Sequence, residues 1–101
     1  MPHAELKYSA DLTLDAGAVR VLRESGKSLL PVGITSSSGN FQRGEVVSCV
    51  DDKGIPVARG LVNYNAQEAA TIIGHSSEEI FSLLGYEGDH EIIHRDNLVL
   101  L

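Results

Sequence analysis

His90-Glu91-Ile92-Ile93-His94 has the H-E-x-x-H spacing of zinc peptidases, and its residue types could assemble a hydrolytic centre. That chemistry needs two imidazoles one helical turn apart on one ion, with the glutamate activating the bound water. Here the segment is boxed between Gly88 and an apolar, strand-like tail, which leaves too little room for the helix. On a strand the two histidines would stand roughly 13 Å apart, at about 3.3 Å per residue, and could not share a zinc. Downstream, only Asp96 could serve as a third ligand. The sequence therefore argues against a metal site.

Other patterns fail on order or completeness. His94-Arg95-Asp96 echoes the catalytic loop of protein kinases, but the place of the magnesium-binding asparagine falls on Leu101, and no Asp-Phe-Gly segment exists. Gly26-Lys27-Ser28 matches the end of a phosphate-binding P-loop, yet the required first glycine falls on Val21. That motif should also run from strand into helix, and here the order is reversed. Cys49 lies in an apolar run without a partner and reads as a small buried hydrophobe. No Ser/His/Asp or Cys/His set assembles, and His3 and His75 read as surface residues. The chain has no Trp, and Tyr8, Phe41, Tyr64, Phe81 and Tyr86 are too scattered to form a base-stacking stripe. No catalytic residue and no metal ligand is expected.

The bulk properties narrow the class. The length fits one domain with a single core. No apolar run reaches membrane-spanning length and the N-terminus lacks the features of a signal peptide, so a cytoplasmic protein without membrane partners is expected. The net charge of −6 is unevenly spread: residues 1–59 sum to zero, while Gly60–His94 carries six acids and no Lys or Arg. That balance disfavours RNA, whose phosphates must be neutralised.

The elements follow from period and punctuation. Lys7–Leu14 reads as a first strand with Leu12 and Leu14 on one face, and Asp15 caps a helix through Arg23 that Gly26 ends. Arg20, Arg23 and Lys27 then gather near the helix's negative pole, as the chain's one basic cluster. Ser28–Thr35 reads as a kinked edge strand and Ser36–Asn40 as a loop, with Phe41 a core anchor. Glu45–Asp51 and Ile55–Tyr64 form the central hairpin about a tight turn ending at Gly54, and Gly60 signals a bulge or close backbone approach. Asn65 with Glu68 and Ser76 with Glu79 have capping-box spacing and start two short helices, the second with Ile80, Phe81, Leu83 and Leu84 as its apolar face. Tyr86–Asp89 reads as a turn, and Ile92-Ile93 and Leu98–Leu101 as closing strands.

Taken together, Ser28-Leu29-Leu30-Pro31-Val32-Gly33-Ile34, Gly39–Glu45, Ala58–Tyr64, Gly85-Tyr86 and His94–Leu100 resemble the C-terminal PUA domain of bacterial glutamate 5-kinases, and Leu12–Ala18 resembles the way into that domain. The resemblance implies an α+β fold, a PUA-like mixed β pseudo-barrel with about three short covering helices. It divides the chain into a PUA domain at 12–101 and, at 1–11, an inter-domain remnant or translation start. It implies a parent enzyme that phosphorylates the γ-carboxylate of glutamate with ATP and magnesium, the first step of proline biosynthesis, under feedback by proline. That chemistry would lie on an amino-acid-kinase domain outside this stretch, which itself would hold no cofactor and serve regulation or assembly, with that kinase domain or further copies as partners. Other PUA domains bind structured RNA, and the matching positions here are Arg20, Arg23, Gly26, Lys27 and Ser28. A stand-alone RNA-binding module is the alternative.

Overall fold

Leu12 and Leu14 are buried and alternate with half-exposed neighbours along the first strand, β1 (Asp11–Leu14), in a computed structural model that describes residues 10–101. Of the first strand expected from sequence, Lys7 to Ser9 lie outside the described residues, as does most of the 1–11 segment. Asp15 then caps helix α1 (Ala16–Ser25), its Oδ1 accepting from Ala18 N at 2.7 Å, and Gly26 ends the helix at φ 59. The oxygen takes up an N–H that has no partner within the helix, and glycine enters the left-handed region without a Cβ penalty.

Pro31 breaks the next strand. The extended run expected over Ser28–Thr35 is instead one isolated bridge at Leu29, a 3₁₀ turn over Pro31–Gly33, and strand β2 (Ile34–Ser38). Proline lacks a ladder N–H and presets φ for a helical first position, so the extended backbone resumes only at Ile34. β2 runs through the serines expected to be loop, because β1 pairs with it from Leu14↔Ile34 to Asp11↔Ser38.

The central hairpin forms from β3 (Val46–Val50) and β4 (Pro56–Leu61), both shorter than expected, with Gly54 at φ 82 in the turn. α2 (Ala66–Ile72) and α3 (Ile80–Leu84, entered through a 3₁₀ turn at Ser77–Glu79) each begin with the anticipated capping box. Phe81, expected on the apolar face of α3, is 62% exposed, and Ile80 is the buried residue of that helix. Five residues are too few for the helical period to tell which of two adjacent apolar side chains turns inward. A last 3₁₀ turn (Arg95–Asn97) leads to β5 (Leu98–Leu100).

The result is an α+β domain with one five-stranded mixed sheet in the order β2-β1-β3-β4-β5, where β1 and β3 are parallel and the other neighbours antiparallel. No ladder among the described residues joins the edge strands β2 and β5 into a closed ring. Beyond β4, Asn63 N–H donates to the Ile92 carbonyl at 2.8 Å, and Ile92 N–H donates to the Leu29 carbonyl at 2.8 Å. Leu29 N–H in turn donates to the Ile93 carbonyl at 2.9 Å, and Leu29 leads through the 3₁₀ turn back to β2. The expected closing strands thus resolve into a single-bridge seam, Leu29↔Ile93, and the edge strand β5. Leu12, Leu14, Leu29, Phe41, Val47, Cys49, Tyr64, Ile72, Ile92 and Ile93 are among the core residues that the strands and seam enclose.

Candidate functional site

The seam and α1 frame a groove of about 450 Å³. Ala18, Val21 and Leu22 form its helical wall, and Lys27–Leu30 with Val32 and Gly33 form the other. Gly33 is required there by space: a Cβ would lie 2.7 Å from Ala18 Cβ, and its carbonyl accepts from Asp15 N at 2.9 Å. Helix and turn are pinned together at the base while Val21, Leu30 and Val32 remain 41–54% exposed above. The lining is mainly apolar, with Asp15, Lys27 and Glu91 as its charged members.

The five residues expected to contact RNA divide between the helix, the turn that ends it and the seam. Arg20 and Arg23 are exposed on α1, whereas the left-handed turn at Gly26 carries Lys27 into the groove. Asp51's carboxyl is held below its ordinary value first by the N–H of Ile55, then by that of Lys53, with Lys53 and Arg23 adding attraction. Ser28 is committed to the seam, its Oγ accepting from Arg95 N at 2.8 Å. Arg23 thus lies near enough to attract Asp51, and Glu91 shares the groove with Lys27.

The seam carries a side-chain clasp that period and spacing did not reveal. Asn63 Nδ2 donates to the Glu91 carbonyl at 2.9 Å, and buried Tyr64 donates its hydroxyl to the Asp89 carbonyl. Arg43 pairs with the Asp89 carboxylate at 3.0 Å, and Tyr86 donates to Glu68, an interaction that pushes its phenol up to about 12. These contacts hold the Tyr86–Glu91 segment against the domain so that Ile92 and Ile93 reach Leu29.

Chemically, the described residues offer little for catalysis. The H-E-x-x-H stretch is not helical, and Ile93 within it pairs across the seam. His94 Nδ1 accepts from Asp96 N at 3.1 Å, and the His90 carbonyl accepts from Ser77 Oγ at 2.7 Å. Among the described residues no group of three or more His, Cys, Asp or Glu side chains gathers to hold a metal ion. Burial pushes the Cys49 thiol up to about 12, so it is no thiolate nucleophile near neutrality. Within the same residues no helix is long and apolar enough to cross a membrane.

A five-stranded mixed sheet with open edges, one isolated bridge beside it and short helices over it defines a class. The PUA domain family model matches residues 10–84, and the chain belongs to that family. Solved structures share the fold: a PUA domain from Aeropyrum pernix K1 in a tartrate complex matches with a TM-score of 0.61 at 17% identity, covering 85% of this chain and 41% of that one. A chain of the archaeal box H/ACA sRNP Nop10–Cbf5 complex matches with a TM-score of 0.60 at 15% identity, covering 85% and 23%. In sequence the chain is similar to glutamate 5-kinases. It is 59% identical over 97 residues to that of Thioalkalivibrio sulfidiphilus, covering 96% of this chain and 26% of the relative. The Hahella chejuensis enzyme is 62% identical over 96 residues, covering 95% and 25%. The chain thus spans about a quarter of the length of these curated relatives.

Proposed function

We propose that this chain is the accessory PUA domain of a cytoplasmic glutamate 5-kinase, itself without catalytic residues and serving regulation or assembly of the enzyme. The observation that carries this is the high identity over nearly the whole chain to glutamate 5-kinases of which it matches only about a quarter. The reaction would be transfer of the γ-phosphoryl group of ATP to the side-chain carboxylate of L-glutamate, in proline biosynthesis. ATP, magnesium and the reacting atoms would sit on the part of the parent outside this match, with that part and further copies as partners. The test compares the 101-residue chain, the longer protein from the same reading frame, and that protein with this domain deleted. We expect no glutamate phosphorylation by the short chain, activity in the long one, and altered proline inhibition or oligomeric state on deletion. Lack of a kinase domain in the frame, or a deletion that changes neither property, would overturn the reading.

A second reading, RNA binding through Arg20, Arg23, Gly26, Lys27 and Ser28, draws on the three cations at the C-terminal end of α1. The acids beside Arg23 and Lys27 and the overall charge of −6 weigh against it. A tRNA anisotropy titration in a salt series decides between the two. RNA binding requires micromolar or tighter affinity that falls steeply with salt and is lost in the Arg20→Glu, Arg23→Glu, Lys27→Glu triple variant.

A further inference from the structure

We infer that the outer face of β3, β4 and β5, around Val46, Leu61 and Val99, is where the upstream domain of the longer protein packs; this rests on the accessory-domain reading above. Strand register puts these side chains together. Val46 and Leu61 are direct cross-strand partners, and Val99 stands opposite Arg59, one diagonal step from Leu61 on the same face. They are 59%, 40% and 60% exposed. The same face continues across β1 and β2 as Asp11, Thr13, Ser36 and Ser38, all polar. Apolar side chains scattered singly over a surface need no explanation, but clustering at one end of an otherwise polar face marks an interaction surface.

The direction of the chain says what covers it. β1 runs parallel to β3, and Ser48 N–H donates to the Ala10 carbonyl at 2.8 Å, so β1 begins at the end of the sheet where Val46 starts β3 and Leu61 ends β4. The described chain enters β1 at Ala10, at the end of the sheet that carries this cluster, while the α1 groove lies past the other end of β1. A domain tethered through the chain that enters the sheet at Ala10 meets this surface as an intramolecular partner, which favours it over a free one. Arg59 sits within the cluster, and among the described residues no carboxylate pairs with it within 4.0 Å. The docked surface should therefore be apolar and bring a carboxylate to that guanidinium, because a buried charge needs a partner.

Thiol labelling tests this. Leu61→Cys and, as a control on the polar part of the face, Ser36→Cys are made both in the 101-residue chain and in the longer protein, and maleimide incorporation is followed peptide by peptide. We expect labelling at position 61 to be about tenfold or more slower in the longer protein, with position 36 labelled equally in both. Equal rates at position 61 would overturn the proposal. So would protection already present in the short chain that grows with its concentration, since a second copy would then be the occupant. Kinase activity of the longer protein is assayed in parallel. Its absence would remove the functional reading, and the labelling would still report whether the face is covered.

Discussion

β3 and β4 meet along a ladder from Val46↔Leu61 to Val50↔Pro56 with one register shift after Cys49, whereas the seam meets at the single bridge Leu29↔Ile93. Backbone pairing specifies the first region, and many side chains could occupy it. The second depends on particular groups: the buried Leu29, Ile92 and Ile93, the Asn63 amide, the Tyr64 hydroxyl and the Ser28 hydroxyl. A segment held by few backbone bonds opens locally at lower free energy than a ladder does. The seam should therefore yield first, and it borders the groove beside α1.

Substitutions weigh the two regions against each other. Ile93→Ala should cost the most, about 3–4 kcal/mol in urea denaturation, because Ile93 is fully buried where no ladder compensates. A loss under about 1 kcal/mol would mean that the seam contributes little. Gly60→Ala comes next at about 1–3 kcal/mol: its Cβ would lie 2.9 Å from Ile93 Cγ2 and press on the Asn97 carbonyl, so ladder and seam are strained together. Tyr64→Phe should cost about 1 kcal/mol by removing the hydroxyl that holds the Asp89 carbonyl. Amide exchange at Ile92 and Ile93 should then quicken while Cys49, in the ladder, stays protected; equal acceleration of both would erase the distinction.

The smallest effect concerns alkali. The Cys49 thiol is raised from 9.0 to about 12 by burial first and Asp11 second, so the fold favours its neutral form. Its contribution is complete below 9.0 and is lost as pH rises toward the folded value. Tyr64, raised chiefly by burial, declines in the same direction. Cys49→Ala should flatten the fall of the urea midpoint above pH ~9 without abolishing it, and an unchanged slope would show that the ladder side does not titrate.

Local signals were legible in the sequence. The caps at Asp15, Asn65 and Ser76, the hairpin turn at Gly54 and the close approach at Gly60 each rest on a few neighbouring residues. β2 was not, because its serines carry no apolar alternation and pairing with β1 decides their state. The candidate site was less legible still. Arg20, Arg23 and Lys27 lie on one stripe only if the helix continues, and it stops before Lys27. The groove also needs Glu91, and the clasp joins Arg43 and Tyr64 to Asp89, so no window of sequence contains either.

The bond from Arg95 N to Ser28 Oγ spans 67 positions of chain, and the Leu29 bridge reaches almost as far. During synthesis the hairpin can zip while the ribosome is still at work, but the join cannot form until Ile93 has cleared the exit tunnel. Until then Leu29 and the strands beside it leave apolar surface exposed on a nascent chain, where non-local topology slows completion and invites association with other chains. The C-terminal stretch of the domain thus decides when the domain becomes safe in a crowded cell.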